Sequence, residues 1–98
     1  MSVTRVFRVR IDPSLRQEFE QRFATISVHV AKSAEGNTGV VILRPTHWDP
    51  DEYAMISGWQ DQESLRLFAG EDWSEPVIPE GMDGYIRDCS VHHYESWD

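Results

Sequence analysis

Alternating apolar and polar side chains mark both ends of this chain as β-strands. In residues 3–11, one side of an extended backbone carries Val3, Phe7, Val9 and Ile11. The other side is polar and includes Arg8 and Arg10. Residues 85–95 alternate in the same way, and one side of that segment holds Cys89, Val91 and His93. Because successive side chains of a strand point to opposite faces, both segments are predicted to be strands with one buried face.

After the first strand, the apolar spacing changes to that of a helix. Asp12 is a suitable N-cap, and Pro13 suits the first helical position because the N–H that proline lacks would have no helical partner there. Apolar residues then recur at steps of three or four: Leu15, Phe19, Phe23, Ile26 and Val30. These steps predict a continuous helix whose apolar stripe packs against the sheet.

The middle of the chain predicts two more strands and a second helix. Residues 40–46 form a nearly continuous apolar run, and residues 53–59 resume after a polar interruption. These two strands are expected to form a hairpin with a longer connection. Asp61 can cap a short helix that ends at Gly70. Residues 71–84 contain several prolines, glycines and acids, which favours a loop with one short helical turn near Pro79.

The predicted order, β-α-β-β-α-β, is that of the split βαβ motif, so the expected fold is an α+β ferredoxin-like sandwich. In this fold two helices cover one face of a four-stranded antiparallel sheet. The length of 98 residues allows one domain. Apolar residues such as Val6, Val40 or Val41 on the other face would need cover. A second copy of the chain is the simplest cover, which predicts a homodimer.

The overall charge excludes several kinds of partner. Nine Lys and Arg residues stand against 17 Asp and Glu residues, for a formal net charge of −8. This charge repels phosphate backbones and anionic lipid surfaces, so neither nucleic acid nor a membrane is an expected partner. Arg5, Arg8 and Arg10 form a local basic cluster, for which we expect a solvated face or ion pairs at a dimer interface.

Cysteine content and hydropathy indicate the compartment. Cys89 is the only cysteine, so no disulfide can form within the chain. The first residues lack the apolar segment of a signal peptide, and no apolar run approaches the roughly 18 residues that span a bilayer. We therefore expect a soluble, cytoplasmic protein.

Residues 53–65 read YAMISGWQDQESL, which is a strand that ends in Trp59, a short acidic turn and the start of a Ser-Leu helix. This segment resembles the antibiotic biosynthesis monooxygenase family, and the element order agrees with that family over residues 1–98. The resemblance implies a single domain that pairs into a dimeric α/β barrel. It also implies an oxidoreductase, a cofactor-independent monooxygenase acting on an aromatic or enolisable small molecule.

Haem-degrading members of this family carry an asparagine on the first strand, a tryptophan on the second helix and a histidine shortly after it. The only asparagine here is Asn37, in a predicted loop, and no histidine lies between Trp73 and Tyr85. The resemblance therefore does not extend to haem, and no cofactor is predicted.

Three residues are the candidates for a catalytic site. His93 could act as a neutral imidazole base, Trp73 could roof a pocket and stack on a planar substrate, and Tyr85 could orient a substrate oxygen. Each has a structural alternative: a core or interface histidine, a tryptophan that packs its loop onto the core, and a tyrosine that satisfies a carbonyl. The function stays open in the same way, between a monooxygenase and a non-catalytic ligand-binding or structural module.

No metal or nucleotide site is predicted. His92 and His93 point to opposite faces of a strand, so they cannot readily share one ion. The acidic residues in the loops are typical of a solvated surface. Asp88 immediately precedes Cys89, and a neighbouring negative charge raises the pKa of a thiol. A nucleophilic cysteine is therefore not expected. No phosphate-binding, dinucleotide-binding or nucleophile-elbow motif occurs.

Overall fold

The four predicted strands pair into one antiparallel sheet in the computed structural model, which describes residues 2–97. The strands are β1 (Val3–Ile11), β2 (Asn37–Leu43), β3 (Glu52–Trp59) and β4 (Ile86–Glu95). They lie in the order β2-β3-β1-β4, with β1 in the interior between β3 and β4. This order and the intervening helices confirm the α+β ferredoxin-like fold.

The helices begin where the capping residues predict. The side chain of Asp12 accepts a hydrogen bond from the backbone N–H of Ser14, 3.0 Å away, at the start of a 3₁₀ turn. The side chain of Asp61 caps the last helix in the same way, and Gly70 ends it with a φ of 89°. The helices are α1 (Arg16–Arg22), α2 (Val28–Lys32) and α3 (Gln62–Ala69).

The first helical segment is not one continuous α-helix, because a π-helical turn (Phe23–Ser27) joins α1 to α2. A π-helix bonds residue i to residue i+5, so it inserts an extra residue and shifts every later position on the helix face. Phe19 and Phe23 precede the shift and are buried as predicted. Ile26, expected on the same stripe, is 36% exposed, and Ser27 is buried in its place.

Aromatic rings form the contact between this segment and the sheet. The ring centroids of Phe19 lie 4.9 Å from those of both Phe23 and Tyr53, which is on β3. A second cluster under α3 consists of Val3, Trp59 and Leu65, and Trp59 is fully buried. Trp59 thus packs the end of β3 against α3.

Within residues 2–97, no helix covers the opposite face of the sheet. Val6, Val41 and Ile56 form a row across three strands of this open face, because they are partners in the sheet register. Val41, Leu43 and Tyr94 are about half exposed. Val40, in contrast, pairs with Ser57 and faces the helices. An apolar surface therefore remains uncovered in the single chain.

Element boundaries differ from the sequence prediction at two places. β2 begins at Asn37 rather than after it, so Asn37 lies in a strand and not in a loop. The strand also ends at Leu43, three residues before the predicted end. Of the helices formed by residues 2–97, none is long and apolar enough to cross a membrane.

Gly36 allows the turn between α2 and β2 to pass beneath α3. Its φ of 86° lies in the left-handed region, and an added Cβ would overlap the hydroxyl of Ser64. Gly39, in β2, has open space around the place where a Cβ would lie.

We predict that Gly36→Ala lowers the free energy of unfolding by about 1–3 kcal/mol, because it adds backbone strain and a steric clash. Gly39→Ala should change it by about 0.5 kcal/mol or less. Urea unfolding followed by circular dichroism tests both, and equal effects would contradict this explanation of the turn.

Candidate functional site

A narrow cavity lies between the first helical segment and the helix-facing side of the sheet. Its volume is about 40 Å³. Its walls are mostly apolar and include Phe7, Phe23, Met55 and Phe68. The space is enough for one or two water molecules rather than for an organic ligand.

One side of the cavity is closed by the segment between α3 and the 3₁₀ turn that precedes β4, which we name the covering loop (residues 71–82). Val77, Ile78 and Pro79 of this loop line the cavity. The covering loop contains no helix or strand. It is therefore the part of the cavity wall that can move with the least loss of backbone hydrogen bonds.

Three polar residues stand in one line across the mostly apolar helix-facing side of the sheet. His93 on β4 is the register partner of Arg5 on β1, which in turn is the partner of Ser57 on β3. We name this line the polar row (His93, Arg5 and Ser57). Arg5 and Ser57 line the cavity, whereas His93 lies beside it. The cavity therefore has one polar end.

Arg5 is the buried member of the basic cluster in β1, with only 3% of its surface exposed. The expectation of a solvated face or dimer-interface ion pair is wrong for this residue. Arg5 occupies the same side of the strand as Val3 and Phe7, so the alternation that buries them also buries its guanidinium. Arg8, on the opposite side, is exposed as expected.

The Arg5 guanidinium is held by hydrogen bonds to neutral groups. It donates to the backbone carbonyls of Trp73 and Glu75 at 3.1 and 3.2 Å, so it holds the covering loop to the sheet. A third bond, of 3.0 Å, joins it to Nε2 of His93. Within residues 2–97, no carboxylate forms an ion pair with Arg5. Burial lowers the pKa of Arg5, yet a guanidinium stays charged in proteins.

His93 is neutral in this arrangement. A guanidinium only donates hydrogen bonds, so Nε2 of His93 must be the acceptor and the ring proton must lie on Nδ1. Burial lowers the pKa of His93, and the charges of Arg5 and His92 lower it further. The imidazole lies 5.4 Å from the ring of Trp73, measured between centroids. Two of the three predicted site residues therefore lie side by side.

Tyr85, the third predicted site residue, lies at the other end of β4. It ends the 3₁₀ turn before that strand, and its ring packs 6.0 Å from that of Phe19. Burial and a hydrogen bond with Glu18 raise the pKa of Tyr85. Eight residues of extended chain, or about 26 Å, separate Tyr85 from His93. The structure does not bring these two residues together, and Tyr85 does not line the cavity.

The sequence prediction of the site missed Arg5 and Ser57. A signal was available for both, since each falls on the buried side of its strand's alternation. Of the residues that were considered, Cys89 is partly buried, and burial followed by the charge of Asp88 raises its thiol pKa. Within residues 2–97, no group of three or more His, Cys, Asp or Glu side chains is placed to hold a metal ion.

The topology and the cavity define the class of protein: an α+β ferredoxin-like domain with an internal cavity between its helices and its sheet. The sequence pattern of the antibiotic biosynthesis monooxygenase family matches residues 2–72, and the chain belongs to that family. Arg5 and Ser57 lie inside the matched residues, while Trp73, Tyr85 and His93 lie after them. Family membership supports a small oxygenase-type or ligand-binding role.

Solved structures share this fold at low sequence identity. SnoaB, a cofactor-independent oxygenase from Streptomyces nogalater, is 19% identical with a TM-score of 0.72, over 99% of this chain and 94% of SnoaB. Rv0793 from Mycobacterium tuberculosis is 12% identical with a TM-score of 0.74, over 100% of this chain and 97% of Rv0793. The haem-degrading protein Rv3592 from the same organism is 22% identical with a TM-score of 0.66, over 97% and 93% of the two chains. No curated protein sequence is significantly similar to this chain.

We predict that protonation of His93 destabilises the fold. Its folded-state pKa is lower than the ordinary value of 6.5, so the unfolded chain binds the proton at a higher pH than the folded chain does. The stability that neutral His93 contributes is therefore complete above about pH 6.5 and decreases as the pH falls toward the folded-state pKa. The measurement compares urea unfolding of the wild type and of His93→Gln from about pH 8 to about pH 5. The wild type should lose its stability advantage as the pH falls, and a difference that does not change with pH would contradict the prediction.

Proposed function

We propose that this protein is a small oxygenase that needs no cofactor and acts on a planar aromatic or enolisable molecule. Family membership supports the reaction class, and the likeness to SnoaB agrees with the absence of a cofactor. The observation that carries the proposal is the apolar, aromatic-walled cavity beneath the first helical segment. Phe7, Phe23 and Phe68 suit the flat apolar faces of such a ligand.

The chemistry makes few demands on the protein. An enolisable ketone that loses a proton becomes a carbanion, which reacts with dioxygen directly. A dry cavity holds this carbanion away from water and positions it for oxygen. His93 is our candidate base because it is neutral, and Trp73 lies beside it. In this structure Nε2 of His93 accepts a hydrogen bond from Arg5. His93 can therefore accept a proton only after Arg5 has moved to another acceptor. Tyr85 has no part in this proposal because it lies at the other end of β4.

Ligand entry requires the covering loop to move. A cavity of about 40 Å³ is far below the several hundred cubic ångströms of a typical ligand site. Among residues 2–97, the hydrogen bonds between side chains of β1 and the loop are those of Arg5 to the carbonyls of Trp73 and Glu75. The small volume of the cavity also favours the second candidate function, a module that binds or packs without catalysis. Oxygen consumption separates these two functions.

The residues do not favour a haem enzyme, although haem-degrading proteins share the fold. His93 is the histidine nearest to the cavity, and its Nε2 is bonded to a cationic guanidinium, which opposes a bound iron cation. Asn37 pairs with Trp59 at the edge of the sheet and does not line the cavity. We therefore assign no haem-dependent step to this chain.

Anthrone is a suitable first substrate because its enol form is a planar phenol. Each molecule of anthrone would consume one dioxygen, lose its two methylene hydrogens and yield anthraquinone and water.

We predict oxygen uptake above the uncatalysed rate, without any added cofactor, together with anthraquinone in equal amount. Ser27→Leu fills the cavity from the π-helical turn, so it should lower the rate at least about tenfold. Thr25→Leu adds a similar side chain to the exposed surface of the same turn and should leave the rate unchanged. An oxygen electrode and chromatography give both quantities, and a rate equal to that of buffer would reject the oxygenase in favour of the non-catalytic module.

We also propose that two copies of the chain pair through the open face of the sheet. The row formed by Val6, Val41 and Ile56 is apolar and crosses adjacent strands, and a second copy would remove it from water. We predict a dimer for the wild type and a monomer for Val41→Glu, because two carboxylates would be buried at the interface. Leu67→Glu, at an exposed apolar position on α3, should remain a dimer. Native mass spectrometry measures the subunit number, and a monomeric wild type would disprove the pairing.

A further inference from the structure

We propose that Arg5 and Ser57 form a subsite for an oxyanion, so that the ligand of the cavity carries a carboxylate, phenolate or enolate group. The subsite lies in the proposed ligand cavity and rests on that function. It adds two properties to the proposed function: the charge of the ligand and the residues that recognise it.

The first support is the uncompensated charge of Arg5. Its guanidinium is 3% exposed and lines an apolar cavity, and no carboxylate in residues 2–97 pairs with it. Burial of an ion without a counter-ion is strongly unfavourable. Neutral carbonyls and an imidazole satisfy its hydrogen bonds, but they do not neutralise its charge. An anionic ligand would supply the missing charge at the end of the cavity that Arg5 and Ser57 line.

The second support is the number of N–H groups of Arg5 that have no acceptor within residues 2–97. A guanidinium side chain has five N–H groups. The contacts within residues 2–97 use three of them, for the carbonyls of Trp73 and Glu75 and for His93. The remaining two N–H groups have no acceptor among residues 2–97 and can make the first contacts with a ligand. A carboxylate or enolate oxygen is the acceptor that such a fork binds most strongly.

The third support is the hydroxyl of Ser57, which stands next to Arg5 in the sheet register and lines the same cavity. Its oxygen accepts a hydrogen bond from the indole N–H of Trp59 at 3.0 Å. The hydroxyl hydrogen is then oriented away from the indole and can donate into the cavity. Arg5 and Ser57 thus provide two kinds of donor from adjacent strands at the polar end of an otherwise apolar space. The mostly apolar walls lower the local dielectric constant, which strengthens each bond to an anion.

His93 serves this subsite as a positioning residue. Its Nε2 accepts from the same guanidinium nitrogen that donates to the Trp73 carbonyl, so both contacts fix the direction of the fork. When a ligand draws the fork toward the cavity, His93 loses its partner and its lone pair becomes available. Binding of the anion and release of the imidazole are therefore one event.

Two probes of the same shape test the subsite: 2-naphthoate, which is an anion near neutral pH, and 2-naphthamide, which is neutral. The wild type should bind 2-naphthoate about ten to a hundred times more tightly, because a hydrogen bond to a charged group is the stronger one. Isothermal titration calorimetry gives both dissociation constants. Arg5→Met should bind the two probes equally, and Ser57→Ala should reduce the preference about threefold to tenfold. Arg87→Met removes the same charge from an exposed position outside the cavity and should keep the full preference.

The outcomes distinguish the subsite from the oxygenase. Equal binding of both probes by the wild type, or an unchanged preference in Arg5→Met, overturns the subsite and leaves the oxygen assay unaffected. No binding of either probe by the wild type overturns the subsite together with the ligand cavity. A clear preference for 2-naphthoate in a protein that consumes no oxygen keeps the subsite and rejects the oxygenase. If Arg5→Met does not fold, a crystal structure of the wild type with 2-naphthoate decides the question. The carboxylate must then lie within hydrogen-bond distance of Arg5, and any other position overturns the subsite.

Discussion

A guanidinium in the interior of a small protein must find acceptors, and this requirement links most features of the site. Arg5 lies on the central strand β1 and on the side that faces the helices, so it cannot reach solvent. Its acceptors come from two other parts of the chain, β4 and the covering loop. One side chain therefore joins the central strand, an edge strand and the only irregular wall of the cavity. The same charge gives that cavity its polar end, because the other wall residues are mostly apolar.

Local signals in the sequence were sufficient for the fold. Period-two alternation identifies β1 and β4, and the caps at Asp12, Asp61 and Gly70 place the helix ends because each cap acts through bonds within a few residues. The π-helical turn could not be predicted in this way. π-Helices are rare and occur mostly as single turns inside α-helices, and this one buries Phe23 and Ser27. Ile26 was misplaced for that reason.

The site is less predictable than the fold, because the usual exposure of a polar residue type outweighs the place of that residue in the alternation of its strand. Arginine is usually exposed, so Arg5 was grouped with Arg8 although alternation put it beside Val3. Tyr85 was grouped with His93 although eight residues of strand separate the two side chains. Trp73 and His93 do lie together. The sequence alone, however, does not reveal that Arg5 bonds to both of them and lies between them and the cavity. Arg5 is 68 positions from Trp73 and 88 positions from His93 in the sequence. Contacts over such separations depend on the complete topology.

The buried positive charge of Arg5 contrasts with the acidity of the rest of the protein. A chain with a formal net charge of −8 repels anions at long range, and exposed arginines paired with acids, such as Arg66 with Glu63 and Glu71, cannot reverse this field. Solvent and salt screen the repulsion within about 10 Å. Inside the cavity there is no such screening, so the single charge of Arg5 acts on a ligand with far greater strength than the surface charges do. An acidic exterior and a buried cation are thus compatible: the exterior reduces adventitious association with anionic polymers, while selectivity for a small anion arises only after the covering loop has admitted it.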